Sequence, residues 1–479
     1  MLFNSLQYVF FLGALFLLHQ ATPHRWRWAP LLVASYVFYA SWNLKYTALI
    51  LFTTLSSYTG ALGIERTAAK RRRQILLGAV VAINLAVLIV FKYVDFLIDS
   101  LNRFFVSVQT GGPLEPMDFL LPVGISFYTF QALGYAVDVY RKDTPAERHF
   151  GFYALYVSFF PQLVAGPIER SRNLLPQLRQ RMALSHARFS SGLTLILLGY
   201  FKKLVIADRL AVYVDAIYGR QQATPLEWAV ATLFFSFQIY CDFSGYTNIA
   251  IGSARLLGID LMRNFQRPYL AASVRDFWRR WHISLSTWFR DYLYIPLGGN
   301  RVSPGRLMLN LLAVFALCGL WHGAAWTFVA WGGLHGVMLC AGNLPRILRP
   351  GTAPHRAWSS PLVKAAKILG VFVLVTLAWV LFRAQDMGQA LDIYASLASL
   401  PLNPGELTFN ATFGLLDFNH CLAFIALLMG FECLMETGRF DMAAHEGSLR
   451  KQFAAQYVLL MLVLLFGTYT SNEFIYFQF

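Results

Sequence analysis

Apolar runs long enough to cross a bilayer recur along this chain, and no other feature narrows its possible folds so far. A helical crossing takes about 20 consecutive apolar residues. Runs near that length fall at 3–19, 29–43, 46–64, 75–97, 120–139, 189–207, 226–251, 307–321, 324–342, 366–383, 420–436 and 453–470. The runs are continuous rather than alternating. The expectation is therefore an all-α polytopic membrane protein with about 11–12 transmembrane helices. A single integral domain over 1–479 is expected, with N-terminal helices in 1–110, a core in 120–345 and C-terminal helices in 362–479.

Charge supports this reading. Only 14% of the 479 residues are charged, against about 25% in soluble domains. The net charge of +15 would suggest nucleic acid as the partner of a soluble chain. Here the basic residues lie in short loops between apolar runs, as cytoplasmic loops do. Contact with lipid headgroups is expected, and none with nucleic acid. Lys70-Arg71-Arg72-Arg73 puts its loop inside the cell. Counting back places the N-terminus outside and Arg25 and Arg27 inside. Counting forward places Arg141, Lys142 and Arg148 inside, then Arg346, Arg349 and Arg356 inside. The C-terminal SNEFIYFQF is left outside, with its aromatics at the interface. The first run lacks a basic start and a small-residue cleavage site, so it reads as a retained helix.

Several stretches break the pattern. Residues 151–167 are interrupted by Pro161 and Gly166-Pro167. Irregular backbone at membrane depth survives only when protein or a cavity covers it, so 159–170 is expected to be a re-entrant cavity wall. Residues 170–188 are basic and amphipathic, as an interfacial helix would be. Lys202 and Lys203 are expected to snorkel from a helix end. Asp242 lies among apolar residues and needs a partner, in helix pairing or in chemistry.

The most organised block is VRDFWRRWHISLSTWFRDYLYIPLGGNR (274–301), followed by GLWHGAAW (319–326). A continuous helix over 274–294 would put Phe277, Trp281, Leu285 and Trp288 on one stripe. Pro296 would end it, and Gly298-Gly299-Asn300 would turn. Arg275, Arg279, Arg280 and Arg290 suit either topology or a donor's phosphates. His322, between Trp321 and Gly323, joins two apolar runs with no polar loop, through a bend or a tight turn. It reads either as a packing residue or as a general base, the role imidazole fills best near neutral pH. The histidines other than His282 and His322 carry no such signal, His335 among them. The five cysteines lie in or beside apolar runs and form no CxxC pair, so they read as buried apolar residues. No GxSxG elbow, HExxH helix or P-loop is present. No spacing favours a metal among His282, His322 and Asp242.

Trp281-His282-Ile283-Ser284, Trp288 to Arg301 and Trp321-His322-Gly323 together resemble the signature of the membrane-bound O-acyltransferase family. The likeness is to its bacterial branch, which serves alginate acetylation and teichoic-acid alanylation. The resemblance implies a helical core around a tunnel in the bacterial inner membrane, and the charge count above then makes both termini periplasmic. It implies His322 as catalytic residue and His282 as the second polar catalytic position. Asp242, Trp281, Trp288, Arg290, Asp291, Asn300 and Trp321 would line the tunnel or meet substrate, and Arg275, Arg279 and Arg280 would hold the donor. No permanently bound cofactor is implied. The donor would be acetyl-CoA or another acyl thioester. The acceptor would be a hydroxyl of an exported polysaccharide or a periplasmic partner acetyltransferase. D-alanyl transfer from a carrier protein stays open within the family. A transporter or a scaffold of a polysaccharide secretion complex is the reading from other classes.

Overall fold

The computed structural model describes residues 1–108, 113–180, 185–348, 360–399, 405, 407, 413–438, 449–469 and 474–475. Gly111-Gly112, Arg349, Arg356 and all of the C-terminal nonapeptide except Phe474 and Ile475 lie outside the described residues. Regular structure within them is helical. Six of the described helices are long and apolar enough to cross a membrane: Thr47–Arg66, Lys70–Val106, His186–Tyr218, Pro304–His322, Pro361–Arg383 and Leu415–Glu436. Leu6–Ala21 and Gln452–Phe466 are shorter apolar helices. Large side chains such as Leu6, Phe10 and Leu362 point outward, as a lipid-facing surface requires. The chain is a multi-pass membrane protein.

Its contacts group into two compact units. The first comprises Met1–Gly192 and Ala250–Met262. There Thr47–Arg66, Lys70–Leu88 and Ile125–Arg141 pack against one another. The fourth apolar run outlasts its expected end at 97. Lys70–Leu88 continues through a π-turn, Ile89–Tyr93, into Val94–Ser107. The reason is that the polar residues after 97 fall on one face of a helix whose other face stays apolar. The broken segment is as irregular as Pro161 and Gly166 demand: Phe150–Ser158 is followed by a single turn, Phe160–Leu163. Every residue from Tyr153 to Arg170 is buried, so protein covers the irregular backbone. Gly124 makes this possible. Its φ is +76°, and a Cβ there would lie 2.6 Å from the carbonyl oxygen of Leu163. Beyond the segment the amphipathic helix is shorter than the expected 170–188: Ser171–Arg179 buries Leu174 and Leu175 and leaves Arg172 exposed, and His186 already opens the next long helix. Glu169 ties the segment to the unit's second stretch, accepting the Met262 N–H and an Asn173 amide hydrogen.

The second unit comprises Leu193–Ile249 and Arg263–Phe479. Here two expectations fail. Lys202 and Lys203 do not end a helix. They occupy a π-turn, Phe201–Ala207, inside a longer span, and both are buried. Lys203 is paired there with Asp242 at 2.6 Å and Asp208 at 2.9 Å. Two carboxylates outbid the interface for one ammonium, so the stem has no cause to snorkel. The tail is not purely interfacial either. Phe474 and Ile475 are buried, Phe474 against Phe243 and Tyr246, and the Ile475 N–H donates to Asp242 at 2.7 Å. Apolar side chains and an accepting carboxylate oxygen recruit it inward.

The junction at His322 is a tight turn. Pro304–His322 and Trp326–Leu348 form an antiparallel hairpin, the most intimately packed helix pair of the unit. Glycines allow the approach. A Cβ at Gly319 would lie 2.1 Å from the Phe328 carbonyl oxygen, and one at Gly332 would lie 2.1 Å from that of Phe315.

Candidate active site

The site grows from a break in a helix that the sequence pattern predicts to be continuous. Ser273 caps Val274–Arg280 by accepting the Asp276 N–H at 3.1 Å. The helix stops at Trp281, and Ile283–Phe289 starts afresh. Between them His282 adopts the left-handed backbone, with φ +40°. That conformation costs a β-substituted residue about 1–2 kcal/mol. Asn264 stabilises it. Its carbonyl oxygen accepts the Ile283 N–H at 2.9 Å, and its Oδ1 accepts the Ser284 N–H at 3.2 Å. The break keeps Phe277, Trp281 and Leu285 buried while Trp288 stays half-buried against Phe289 and Tyr292. Pro296 and Gly298-Gly299-Asn300 turn the chain as expected, with φ of +106° at Gly298 and +55° at Gly299.

The break turns the His282 ring toward the hairpin. His282 is fully buried and His322 is 3% exposed. Their ring centroids are 6.2 Å apart. Aromatic rings box the pair. Phe243 meets His282 edge-on at 4.7 Å, and Trp321 lies 5.9 Å from it. Trp331 and Phe382 meet His322 at 5.1 and 5.4 Å. Trp281 packs on Trp379 at 5.0 Å. His282 lies outside the membrane-spanning helices, and burial pushes its imidazole down to about 3. It is therefore neutral at any physiological pH.

A cavity of about 620 Å³ runs alongside. Ile283, next to His282, and Cys318, one turn before His322, are part of its lining. Its floor is apolar, with Trp278, Val314 and Phe315, and its polar lining includes Arg275, Arg279, Arg290 and Asn300. Arg275 donates to Asn343, Arg290 pairs with Asp291 at 2.7 Å, and Asn300 accepts from Tyr294 at 2.7 Å. Arg280 is elsewhere: it pairs with Glu436 at 3.0 Å and with Asp276 at 3.2 Å. Of the three arginines proposed for a donor, Arg275 and Arg279 line this cavity, while Arg280 is held by carboxylates. Asp242 is committed to Lys203 and the Ile475 N–H rather than to the imidazole pair.

Four residues are not legible as site components in the sequence. Asn264 sits in a loop with no periodicity. Trp331 and Trp379 read as ordinary members of apolar runs. His335, one turn beyond Trp331, accepts the Trp278 indole N–H on Nδ1 at 3.2 Å. It thereby fixes a side chain of the cavity wall, and its proton must sit on Nε2.

A buried imidazole pair next to a cavity whose lining includes three arginines, in a membrane chain, suits group transfer within the bilayer. Comparison with known proteins narrows the class. Residues 147–382 match MBOAT, the membrane-bound O-acyltransferase family. The chain is 40% identical over 422 residues to the probable alginate O-acetylase AlgI of Azotobacter vinelandii, covering 85% of this chain and 81% of that one. It is 37% identical over 448 residues to the peptidoglycan O-acetyltransferase of Helicobacter pylori, covering 84% and 80%. It is 28% identical over 295 residues to the teichoic acid D-alanyltransferase of Streptococcus thermophilus, covering 56% and 68%. The chain belongs to the membrane-bound O-acyltransferase family and is an acyltransferase.

Proposed function

We propose that this enzyme moves an acetyl group from a cytoplasmic thioester to a hydroxyl of an exported cell-envelope polysaccharide, or to a periplasmic acetyltransferase that completes delivery. The observation that carries this reading is the His282–His322 pair, 6.2 Å between centroids, beside the basic-rimmed cavity. The donor's phosphates meet Arg279 and Arg290, and its acyl arm follows the apolar floor inward. His322 takes the proton of the acceptor hydroxyl as that oxygen attacks the thioester carbonyl. The carbon–sulfur bond breaks, and the departing thiolate recovers the proton from the imidazolium. The step consumes no net proton. Neutral His282 donates to the carbonyl oxygen as charge develops there. Acetyl is favoured over D-alanyl because the O-acetylating relatives match more of the chain at higher identity. The chain sits in the bacterial inner membrane with the cavity's arginines toward the cytoplasm.

The test is polymer acetylation in cells carrying His322→Ala, with the enzyme's membrane abundance measured in parallel. Loss of acetyl ester at normal abundance is expected. Retained ester would remove His322 from the mechanism. Transport of polymer without any ester transfer would restore the transporter reading.

A further inference from the structure

The first unit carries a feature that acyl transfer does not use. At the end of Leu6–Ala21, a recess of about 30 Å³ is lined by His19, His24, Arg27, Trp28, Gln177 and Gln180, together with apolar and backbone neighbours. Arg27 carries a positive charge, His19 and His24 can donate a ring hydrogen, and Gln180 offers amide hydrogens, those of Gln177 being given to the Asn173 and Asp260 carbonyls. Among the described residues, no carboxylate is part of the lining. His19 is 5% exposed, and its Nδ1 is buried with no hydrogen-bond partner among the described residues. A buried polar atom in a native fold calls for a partner. The guanidinium of Arg27 is held in place through Nε, which donates to the Thr22 carbonyl at 3.1 Å. Its terminal nitrogens can then serve another acceptor.

We propose that this recess binds the phosphate of an anionic lipid headgroup or, by the same chemistry, free phosphate. Oxygen acceptors bearing negative charge fit a lining rich in donors. Size sets the mode. A water-sized site takes about 10–15 Å³, so the recess admits roughly two phosphate oxygens and leaves the rest of the ligand at its mouth. A lipid headgroup meets that geometry without burying its glycerol. Trp26, which precedes Arg27 in the chain, is 53% accessible, as an aromatic anchor at the headgroup level is.

The experiment titrates the purified full chain in neutral detergent with short-chain phosphatidylglycerol, phosphatidylcholine or inorganic phosphate. Native mass spectrometry counts bound molecules, and thermal unfolding reads stabilisation. Tighter binding of phosphatidylglycerol than of phosphatidylcholine, weakened roughly tenfold by Arg27→Gln or by His24→Gln, supports the lipid source. Stabilisation by inorganic phosphate that the same variants abolish supports the free anion. Arg25→Gln removes a neighbouring charge outside the recess and should change neither. If Arg25→Gln weakens binding as much as Arg27→Gln, or if all variants bind both lipids equally, the site does not exist. His19→Asn, which keeps a donor, should retain binding. His19→Leu should lose it at unchanged abundance.

Discussion

Asn264 holds His282 in a left-handed conformation by bonding to the two residues that follow it, through its carbonyl to Ile283 and its side chain to Ser284. The facing imidazoles therefore depend on a residue outside the recognisable signature. Removing the side chain by Asn264→Ala takes away the Oδ1 acceptor of the buried Ser284 N–H and costs about 1–3 kcal/mol. It should lower acetylation more than abundance, because the His282 ring loses its aim before the unit loses its fold. Asn264→Asp keeps an acceptor and should recover part of the activity. Equal acetylation in wild type and Asn264→Ala, at equal abundance, would show that the break holds itself.

The two histidines should fail differently. His322→Ala removes the base and should lower the rate by about 10²–10⁴. His282→Asn keeps a hydrogen-bond donor and should cost less. Since His282 stays neutral down to about pH 3, it contributes nothing to an acid limb in the pH–rate profile. The acid limb should survive in His282→Asn with its midpoint unmoved. Movement of that midpoint by about one pH unit, a tenfold change in proton affinity, would mean that His282 titrates in the working range.

The arginines separate by location. Arg279→Ala and Arg290→Ala should raise KM for the thioester with little change in kcat, since a phosphate contact helps ground state and transition state alike. Arg280→Ala should leave KM alone and lower stability, because it releases Glu436 and Asp276. A large KM effect from Arg280→Ala alone would move the donor away from the cavity.

How much of this is readable in the sequence follows from range. The helical class and the signature residues are legible because apolar run length and local motifs are short-range properties. The tight turn at His322 is one of two open readings, and the glycines that settle it, Gly319 and Gly332, act across the hairpin. The helix break at His282 is invisible, since its stripe of Phe277, Trp281 and Leu285 is equally consistent with an unbroken helix. What breaks it is Asn264, eighteen residues away and in no repeat. The same holds for Lys203. Nothing near it in sequence announces Asp242, so the snorkelling rule points to the wrong environment.

The Lys203 cluster makes its own prediction. Lys203→Met leaves Asp208 and Asp242 buried together without their cation, a loss of about 3–5 kcal/mol when one partner of a buried pair is removed. Abundance should collapse. Adding Asp242→Asn to Lys203→Met removes one stranded charge and keeps an acceptor for the Ile475 N–H, so it should restore much of the protein. If the double variant is no more abundant than the single one, the ion pair is not what supports this turn.

Glu169 supplies a pH test of the first unit. Its carboxyl is buried, and burial pushes it up to about 7 from an ordinary 4.5, although the N–H groups of Met262, Asn173 and Arg170 and the Arg170 charge pull the other way. The folded chain then keeps a proton that the unfolded chain gives up above pH 4.5. That contribution to stability is complete below pH 4.5 and is lost as pH rises through 7. Each pH unit between those two values is worth about 1.4 kcal/mol, so the loss approaches about 3 kcal/mol. In detergent, the unfolding temperature of wild type should fall between about pH 5 and 8. Glu169→Gln cannot ionise and should lack that slope, with the two curves closest at the acid end. Parallel curves across the range would mean that Glu169 is already ionised in the folded chain, and that its hydrogen-bond donors and the Arg170 charge outweigh the burial.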